Sequence, residues 1–180
     1  MHTSVIDFLK AHLSSEEVNG KRVAEIGSQD VNGTPRPVVL PLRPAAYIGV
    51  DFAPGAGVDV VADAKALTAK FGEGAFDIVI STEMLEHVED WRSIIGQLKA
   101  ITKPGGLLLI TTRSPGFPYH PYPIDVWRYT LSDFHKIFKD MEIVAICSDW
   151  QVPGVFAKVR KPDLFVPCDL SKIELARVVP

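Results

Sequence analysis

Acidic residues lie in or directly after three hydrophobic segments near the start of the chain. Glu25 belongs to KRVAEIG, Asp51 follows YIGV, and Asp63 follows the segment 58–62. A carboxylate at the end of a strand can accept hydrogen bonds from both hydroxyls of a ribose, because its two oxygens match a vicinal diol. Asp63 could accept from an exocyclic amine such as that of adenine, while the backbone N–H of Ala64 donates to the ring. The pattern therefore indicates a ligand that contains a nucleoside.

A second concentration of chemically reactive side chains lies in the segment 113–130, RSPGFPYHPYPIDVWRYT. Its prolines exclude a long regular helix, and loops at the ends of strands carry function more often than packing. We therefore expect this loop to line a substrate site, with His120 standing between two prolines and belonging to no helix or strand face. Four further residues could act there, or could cover the core and pair with each other: Asp125, Trp127, Arg128 and Tyr129.

The elements that position these residues follow from the hydrophobic pattern. Near-continuous apolar segments are typical of parallel strands that are covered on both faces. We predict five such strands, at 21–27, 47–50, 58–62, 76–80 and 107–111. A helical stripe of apolar residues from Trp91 to Ile101 separates the last two strands and stops at a Lys-Pro-Gly-Gly sequence. Strand, helix and strand in this order predict a right-handed parallel crossover.

Both ends of the chain carry further elements. Apolar residues at helical spacing predict a leading amphipathic helix within residues 1–20, and capping-box spacing after the loop predicts another helix. Strands at 142–148 and 154–159, joined by a Pro-Gly turn, should form an antiparallel hairpin. The segment from Leu170 to Val178 could form a short helix that docks on the rest of the domain.

Together these elements predict one α/β domain over residues 1–180. Residues 1–20 form its leading helix, 21–160 its core and 161–180 its tail. The core should be a Rossmann-like, doubly wound and mostly parallel sheet with a C-terminal antiparallel hairpin, arranged in three α/β/α layers. Open parallel sheets bind their ligands at the carboxyl ends of the strands, where the acidic residues lie.

Composition and charge argue against several classes of protein. Hydrophobic residues make up 47% of the 180 residues and charged residues 23%, which is not the composition of a disordered chain. A net charge of -3 without a long basic run makes nucleic acid an unexpected partner. The first residues lack the pattern of a secretion signal, no segment has the roughly 18 apolar residues of a membrane span, and the cysteines are Cys147 and Cys168. We therefore expect a cytoplasmic protein, of unknown oligomeric state and without a membrane partner.

Five fragments, VAEIGS, YIGVDFA, VVADA, FDIVISTEMLEHV and KPGGLLLITT, resemble in sequence and in order those of the class I S-adenosylmethionine-dependent methyltransferases. The resemblance covers residues 21–159 and implies that S-adenosylmethionine is the cofactor. It implies that Glu25 and Gly27 border the methionine end of the cofactor and that Asp51 holds the ribose. It also implies that Asp63 and Ala64 meet the adenine and that Ser81 to Glu83 line the floor of the site. The cofactor-binding residues implied in this way are Glu25, Gly27, Asp51, Phe52, Asp63, Ala64, Ser81 and Thr82.

Methyl transfer would require a nucleophile aligned with the sulfonium and kept away from water. A hydroxyl or amine acceptor also needs a base, and for this role we expect His120 first, with His87 and Asp125 behind it. The acidic isoelectric point and the aromatic, proline-rich loop favour a small organic acceptor over DNA or RNA. Neither the acceptor nor the kind of atom that is methylated can be predicted.

The sequence from Glu83 to His87, Glu-x-x-Glu-His, resembles the divalent-metal cluster of certain methyltransferases that act on small molecules or RNA ends. His120 would be the fourth ligand after Glu83, Glu86 and His87, and carboxylate and imidazole groups suit manganese, magnesium or zinc. The interpretation that we prefer is a helix start, where the dipole favours the carboxylate of Glu86. A divalent metal is therefore possible but not expected.

The loop after the first strand departs from the family pattern. Three alternating glycines are usual there, whereas this chain has Gly27, Gln29 and Val31, and Gly33 could substitute. The missing glycines argue against the phosphate-binding turn of a dinucleotide enzyme, so a nicotinamide-dependent oxidoreductase is the weaker alternative. The other alternative is a non-catalytic binding or regulatory domain that has kept the fold.

Overall fold

A computed structural model describes residues 2–178 of the chain. Within these residues, seven strands form one sheet in the order β3-β2-β1-β4-β5-β8-β7. The strands are β1 (Arg22–Ile26), β2 (Ala46–Asp51), β3 (Val60–Val61), β4 (Phe76–Thr82), β5 (Thr102–Arg113), β7 (Glu142–Ser148) and β8 (Gly154–Arg160). The strands β1 to β5 are parallel to one another, and β8 is antiparallel to both β5 and β7. The predicted fold class, a mostly parallel sheet that ends in an antiparallel hairpin, is confirmed.

Helices cover both faces of this sheet. Three of them pack on one face, namely α1 (Thr3–His12), α2 (Ser15–Val18) and α3 (Arg36–Val39), and three on the other, namely α4 (Leu67–Phe71), α5 (Trp91–Ile101) and α6 (Leu131–Ile137). Successive strand residues point to opposite faces, so Ile78 and Ile80 of β4 belong to the core beneath α1, α2 and α3, and Val79 belongs to the core beneath α4, α5 and α6. This alternation of buried side chains gives the three layers that were predicted.

Two helix boundaries have local causes that the sequence contains. The side chain of Asp90 accepts from the backbone N–H of Ser93 and so begins α5. Thr130 and Asp133 form the predicted capping box at the start of α6. After β1, α3 has only four residues, with Pro35 and Pro37 at its start, where proline is tolerated, and it changes at Leu40 into a short 3-10 helix that contains Pro41.

The tail differs from the prediction. The segment Leu170 to Val178 is not helical, and two of its residues form β9 (Ala176–Arg177), which pairs antiparallel with β6 (Trp127–Arg128). The reason is that other groups satisfy its backbone: the guanidinium of Arg92 donates to the carbonyl oxygens of Leu170, at 3.0 Å, and Ile173, at 2.5 Å. These hydrogen bonds replace those that a helix would have made.

The predicted strand limits also need correction. The third strand is two residues long rather than five, because it lies at the sheet edge and pairs only with the end of β2. The fifth begins at Thr102, directly after α5, and is therefore longer than predicted. None of the helices within residues 2–178 combines the length and the apolar character that a membrane span requires.

Candidate functional site

A cavity of about 570 Å³ lies at the carboxyl ends of the parallel strands. Its volume is in the range of small-molecule sites, and its place is the one at which open parallel sheets bind ligands. Strand ends contribute Glu25 and Ile26 from β1, Asp51 from β2, Thr82 from β4 and Arg113 from β5. The other lining residues used below are His2, Gly27, Gln29, Phe52, Asp63, Ala64, Glu83, Met84, His87, Ile94, Phe117, His120, Tyr122, Pro123 and Ile124.

Asp51 is a nearly buried carboxylate at the end of β2. Its Oδ2 accepts from the backbone N–H of Gln29 at 3.0 Å, and its Oδ1 accepts from that of Phe52 at 2.8 Å. An ionised carboxylate has about four acceptor positions, so two of them are left for a ligand. Asp51 also joins the loop after β1 to the end of β2. It is therefore positioned both to shape the cavity and to bind a diol.

The predicted adenine end lies at one side of the cavity. Asp63 caps a short 3-10 helix, Ala64–Ala66, by accepting from the backbone N–H of Lys65 at 2.8 Å. Asp63 and Ala64 both line the cavity beside Phe52, whose side chain is 69% exposed. A flat aromatic ring next to a carboxylate suits the binding of a planar base.

Glu25 lies at the floor of the cavity and is almost completely buried. The hydroxyl of Tyr47 donates to its Oε2 at 2.6 Å, and the hydroxyl of Thr34 lies 3.1 Å from both oxygens. Burial raises the pKa of Glu25 to about 7, although these two hydroxyls favour the charged form. A positively charged ligand group beside this buried carboxyl would favour its ionised form and would be bound by it.

Replacement of Glu25 by glutamine should change how stability depends on pH. The carboxyl keeps its proton up to about pH 7 in the folded protein but loses it near pH 4.5 when unfolded, so folding becomes less favourable as the pH rises between these values. The free energy of unfolding falls by about 3 kcal/mol over this pH range. Glutamine does not titrate, so a protein with glutamine at this position shows no such fall. When the free energy of unfolding is measured with urea from pH 4.5 to 7.5, Glu25→Gln should therefore become more stable relative to the unmodified protein by about that amount. Parallel pH profiles for the two proteins would contradict the burial of an ionisable group here.

Gly27 begins the loop after β1 with a φ of +83°, a conformation that glycine adopts without strain. A Cβ at this position would lie 3.0 Å from the side chain of Met84. Only glycine therefore lets the backbone pass this close to the cavity wall. The two positions that depart from the glycine pattern are Gln29 and Val31, and both line the cavity. The hydrogen bond between Gln29 and Asp51 fixes this part of the loop without a second glycine.

A cluster of one carboxylate and two imidazoles, the histidine cluster (Glu86, His87 and His120), follows β4 and β5, which lie on the other side of β1 in the sheet from β3, the strand that precedes Asp63. Glu86 is fully buried, and its Oε1 is 3.9 Å from the Nε2 of His87 and 3.9 Å from the Nε2 of His120. The two imidazole rings are 4.9 Å apart and meet edge to face. Both rings line the cavity, with Glu86 behind them. The fold thus joins residues 86 and 87, which follow β4, to a loop residue more than thirty positions later.

Asp125 orients this cluster from outside the cavity wall. Its carboxylate accepts two hydrogen bonds from the guanidinium of Arg128, and its Oδ2 accepts from the backbone N–H of His120 at 2.9 Å and lies 3.0 Å from the Nδ1 of that ring. Burial opposes the charged form, but Arg128 and the His120 amide hold the pKa of Asp125 at about 2. Burial lowers the pKa of His120, with Asp125 acting in the opposite direction. Asp125 therefore acts on His120 and not on a ligand.

Glu83 is held away from this cluster. Its backbone has a φ of +55°, and its carboxylate accepts from the hydroxyl of Thr111 at 2.9 Å and contacts the guanidinium of Arg113. Arg113 also pairs with Asp149 at 3.2 Å and stacks on Phe117, 4.4 Å from the ring centre. The side chain of Glu83 is thus committed to Thr111 and Arg113.

Most of the predicted site residues line one cavity, but not all of them. Ser81 is fully buried and donates weakly to the sulfur of Met84, so it is not part of the cavity floor. The predicted alternative, in which residues of this loop have a structural role, applies to Trp127, Arg128 and Tyr129, because they cover the core or pair with neighbouring residues. His2, which sequence alone suggests to be an exposed residue, lines the cavity and packs on Phe117 with ring centres 5.8 Å apart.

Several lining residues gave no signal in the sequence. Met84 and Ile94 line the cavity in addition to contacting the core, and their apolar character predicts only packing. Arg113 lies in the cavity wall because β5 extends two residues beyond its predicted end. In the sequence, only its position at the start of the segment 113–130 indicates that it could line a site.

Comparison with known proteins identifies the kind of domain. A sequence model described as a methyltransferase domain matches residues 7–150. The Ubiquinone biosynthesis O-methyltransferase of Chromobacterium violaceum is 31% identical over 120 residues, which are 59% of this chain and 49% of that protein. The chain thus spans about half the length of this relative.

Solved structures share the fold at low sequence identity. An S-adenosylmethionine-dependent methyltransferase from Mesorhizobium loti has a TM-score of 0.66 and 17% identity, covering 88% of this chain and 98% of that one. The Burkholderia thailandensis 1,6-didemethyltoxoflavin-N1-methyltransferase, with bound 1,6-didemethyltoxoflavin and S-adenosylhomocysteine, has a TM-score of 0.66 and 15% identity, covering 88% and 76%.

Proposed function

Because the chain belongs to the class I S-adenosylmethionine-dependent methyltransferase family, we propose that it transfers a methyl group to a hydroxyl group of a small organic acceptor. The observation that carries the proposal is one cavity with two chemically different ends. Asp51 and Asp63 follow β2 and β3 on one side of β1, where they suit an adenosine group, and His87 and His120 follow β4 and β5 on the other side, where they suit an acceptor.

The cofactor end has the groups that S-adenosylmethionine requires. The two acceptor positions left on Asp51 fit the ribose hydroxyls, and Asp63 with Ala64 fits the edge of adenine. Glu25 fits the amino group at the methionine end, because ionisation of this buried carboxyl becomes favourable beside a positive charge. When bound there, the cofactor supplies a methyl group already activated by a positively charged sulfur.

The acceptor end of the cavity is lined mainly by apolar side chains of the loop 113–130 and by the two imidazole rings of the histidine cluster. Phe117, Tyr122, Pro123 and Ile124 of the loop 113–130 line the cavity, and this apolar wall suits an aromatic or otherwise flat acceptor. The chain's contribution is to hold the acceptor hydroxyl in line with the methyl group and to exclude water, which can be worth on the order of 7 kcal/mol. The Nε2 of His120 takes the hydroxyl proton, since its Nδ1 faces Asp125 at 3.0 Å.

The name of the curated relative supports oxygen as the methylated atom, because that protein is an O-methyltransferase. The neighbour from Burkholderia thailandensis, whose bound ligand is a small ring compound, supports an acceptor of that size. Asp125 is then a positioning residue that holds the His120 ring, not the base itself.

Two measurements on the full chain test the proposal. S-adenosylhomocysteine should bind in isothermal titration calorimetry whereas NAD should not, and methyl-labelled S-adenosylmethionine should label at least one member of a panel of phenols and aliphatic alcohols. Binding of NAD without binding of S-adenosylhomocysteine would instead indicate the oxidoreductase. Binding of S-adenosylhomocysteine without transfer to any acceptor would indicate the non-catalytic domain.

A further inference from the structure

One oxygen of the histidine cluster has no partner within residues 2–178. Glu86 is 0% exposed, and its Oε1 accepts no hydrogen bond from any described residue. A buried carboxylate oxygen that is left unpaired loses its hydration without gaining a hydrogen bond in return, which destabilises the fold. A buried polar atom without a hydrogen-bond partner needs a physical explanation in a native fold, and a bound ion is one of the few explanations known.

The three side chains of the cluster are each fixed through their other polar atom. The hydroxyl of Thr112 donates to the Oε2 of Glu86 at 2.8 Å. The Nδ1 of His87 lies 2.5 Å from the carbonyl oxygen of Ile124, and the Nδ1 of His120 lies 3.0 Å from the Oδ2 of Asp125. A carbonyl or carboxylate on one ring nitrogen is the arrangement that orients the other nitrogen of a metal-ligating histidine.

The atoms that remain face one another. The Oε1 of Glu86 is 3.9 Å from the Nε2 of His87 and 3.9 Å from the Nε2 of His120, and one possible ligand atom from each of the three residues lies within 4.8 Å of the other two. Ligands at about 2.1 Å from a tetrahedral zinc ion are about 3.4 Å apart, so the side chains need to close by only about 0.5–1.4 Å.

We propose that Glu86, His87 and His120 bind one divalent transition-metal ion, with zinc as the reference case, through Oε1 and the two Nε2 atoms. Two imidazoles and one carboxylate form a ligand set that such ions accept with open positions to spare. Glu83, the first ligand in the sequence resemblance, is not a member, because its carboxylate is committed to Thr111 and Arg113. The proposed site therefore has three protein ligands and not four.

The open side of this site faces the cavity, because both histidine rings line it while Glu86 lies behind them. An acceptor hydroxyl could therefore bind the ion through its oxygen, lose its proton to water more easily, and attack the methyl group as the sulfur leaves with the bonding electrons. This role rests on the proposed function, and in the metal-bound protein it replaces proton transfer to His120. The binding of the ion itself does not rest on it.

Cobalt(II) titration of the chelator-treated full chain tests the site directly, since its visible absorption reports coordination by protein nitrogen and oxygen. We expect saturation at one ion per chain, competition by zinc, and at least about 100-fold weaker binding in His87→Ala and His120→Ala. His135→Ala removes an exposed imidazole from α6 and should bind as the unmodified chain does. S-adenosylhomocysteine binding by each variant shows that it is folded.

Two results would overturn the inference. One is the absence of saturable cobalt binding, and the other is equal binding by the His87→Ala, His120→Ala and His135→Ala proteins. Glu86→Gln should also weaken cobalt binding. If this variant is too unstable to purify, the two histidine variants decide alone, because both rings are partly exposed. A methyl-transfer assay separates this inference from the proposed function: metal binding without transfer to any acceptor refutes the function alone, and full-rate transfer by the metal-free chain refutes the role of the ion.

Discussion

Replacement of Asp51 by alanine should weaken the binding of S-adenosylhomocysteine by about 100-fold or more. The variant loses two charge-assisted hydrogen bonds to the ribose, each worth about 1.5–3 kcal/mol. It also releases the backbone N–H groups of Gln29 and Phe52, which Asp51 holds at 3.0 Å and 2.8 Å, so the loop after β1 becomes less ordered. Isothermal titration calorimetry of the purified chain measures the change.

Two further variants make this test specific. Asp51→Asn keeps one acceptor oxygen and should bind more weakly than the unmodified chain but more tightly than the alanine variant. Asp163→Ala removes an exposed carboxylate from the tail and should leave the affinity unchanged. Equal affinities for Asp51→Ala and Asp163→Ala would show that the nucleoside does not bind at the end of β2.

Replacement of His120 by alanine should lower the turnover number by about 10²–10⁴-fold while the affinity for S-adenosylhomocysteine stays nearly the same. The reason is that His120 lies on the loop 113–130 after β5, whereas Asp51 and Asp63, which are proposed to bind the cofactor, follow β2 and β3 on the other side of β1. The loss follows whether the ring takes the acceptor proton itself or holds the ion that acidifies the hydroxyl. Initial rates with an acceptor found by the labelling assay, together with calorimetry, measure both quantities.

The control for this variant is His135→Ala, whose imidazole is exposed on α6. It should retain both turnover and cofactor affinity. Asp125→Asn should reduce turnover less than His120→Ala, because it disturbs the orientation of the ring without removing it. A His120→Ala protein that loses cofactor affinity as strongly as Asp51→Ala would contradict the division of the cavity into two ends.

The parallel core of the fold could be predicted because its strands are short, near-continuous apolar segments separated by clear helix signals. The tail could not, since the carbonyls of Leu170 and Ile173 are satisfied by Arg92, a side chain almost eighty positions away in sequence. Local propensity contains no information about such a partner. The same limit applies to β3, whose length is set by pairing with the end of β2.

The site shows the same division between local and distant causes. Asp51 and Asp63 could be placed in the cavity from the sequence, because a residue at the end of a parallel strand points to a known edge of the sheet. The meeting of Glu86 with His120 could not be derived from the residues alone, because it depends on how the proline-rich loop folds back and on the hydrogen bonds between Asp125 and His120. The exclusion of Glu83 required the position of Arg113.

A crystal structure of the full chain with S-adenosylhomocysteine tests the central claim most directly. We predict both ribose hydroxyls at about 2.5–3.0 Å from the carboxylate of Asp51, the adenine beside Asp63 and Ala64, and the sulfur directed toward His87 and His120. A nucleoside bound elsewhere, or bound in this cavity without contact to Asp51, would contradict the account.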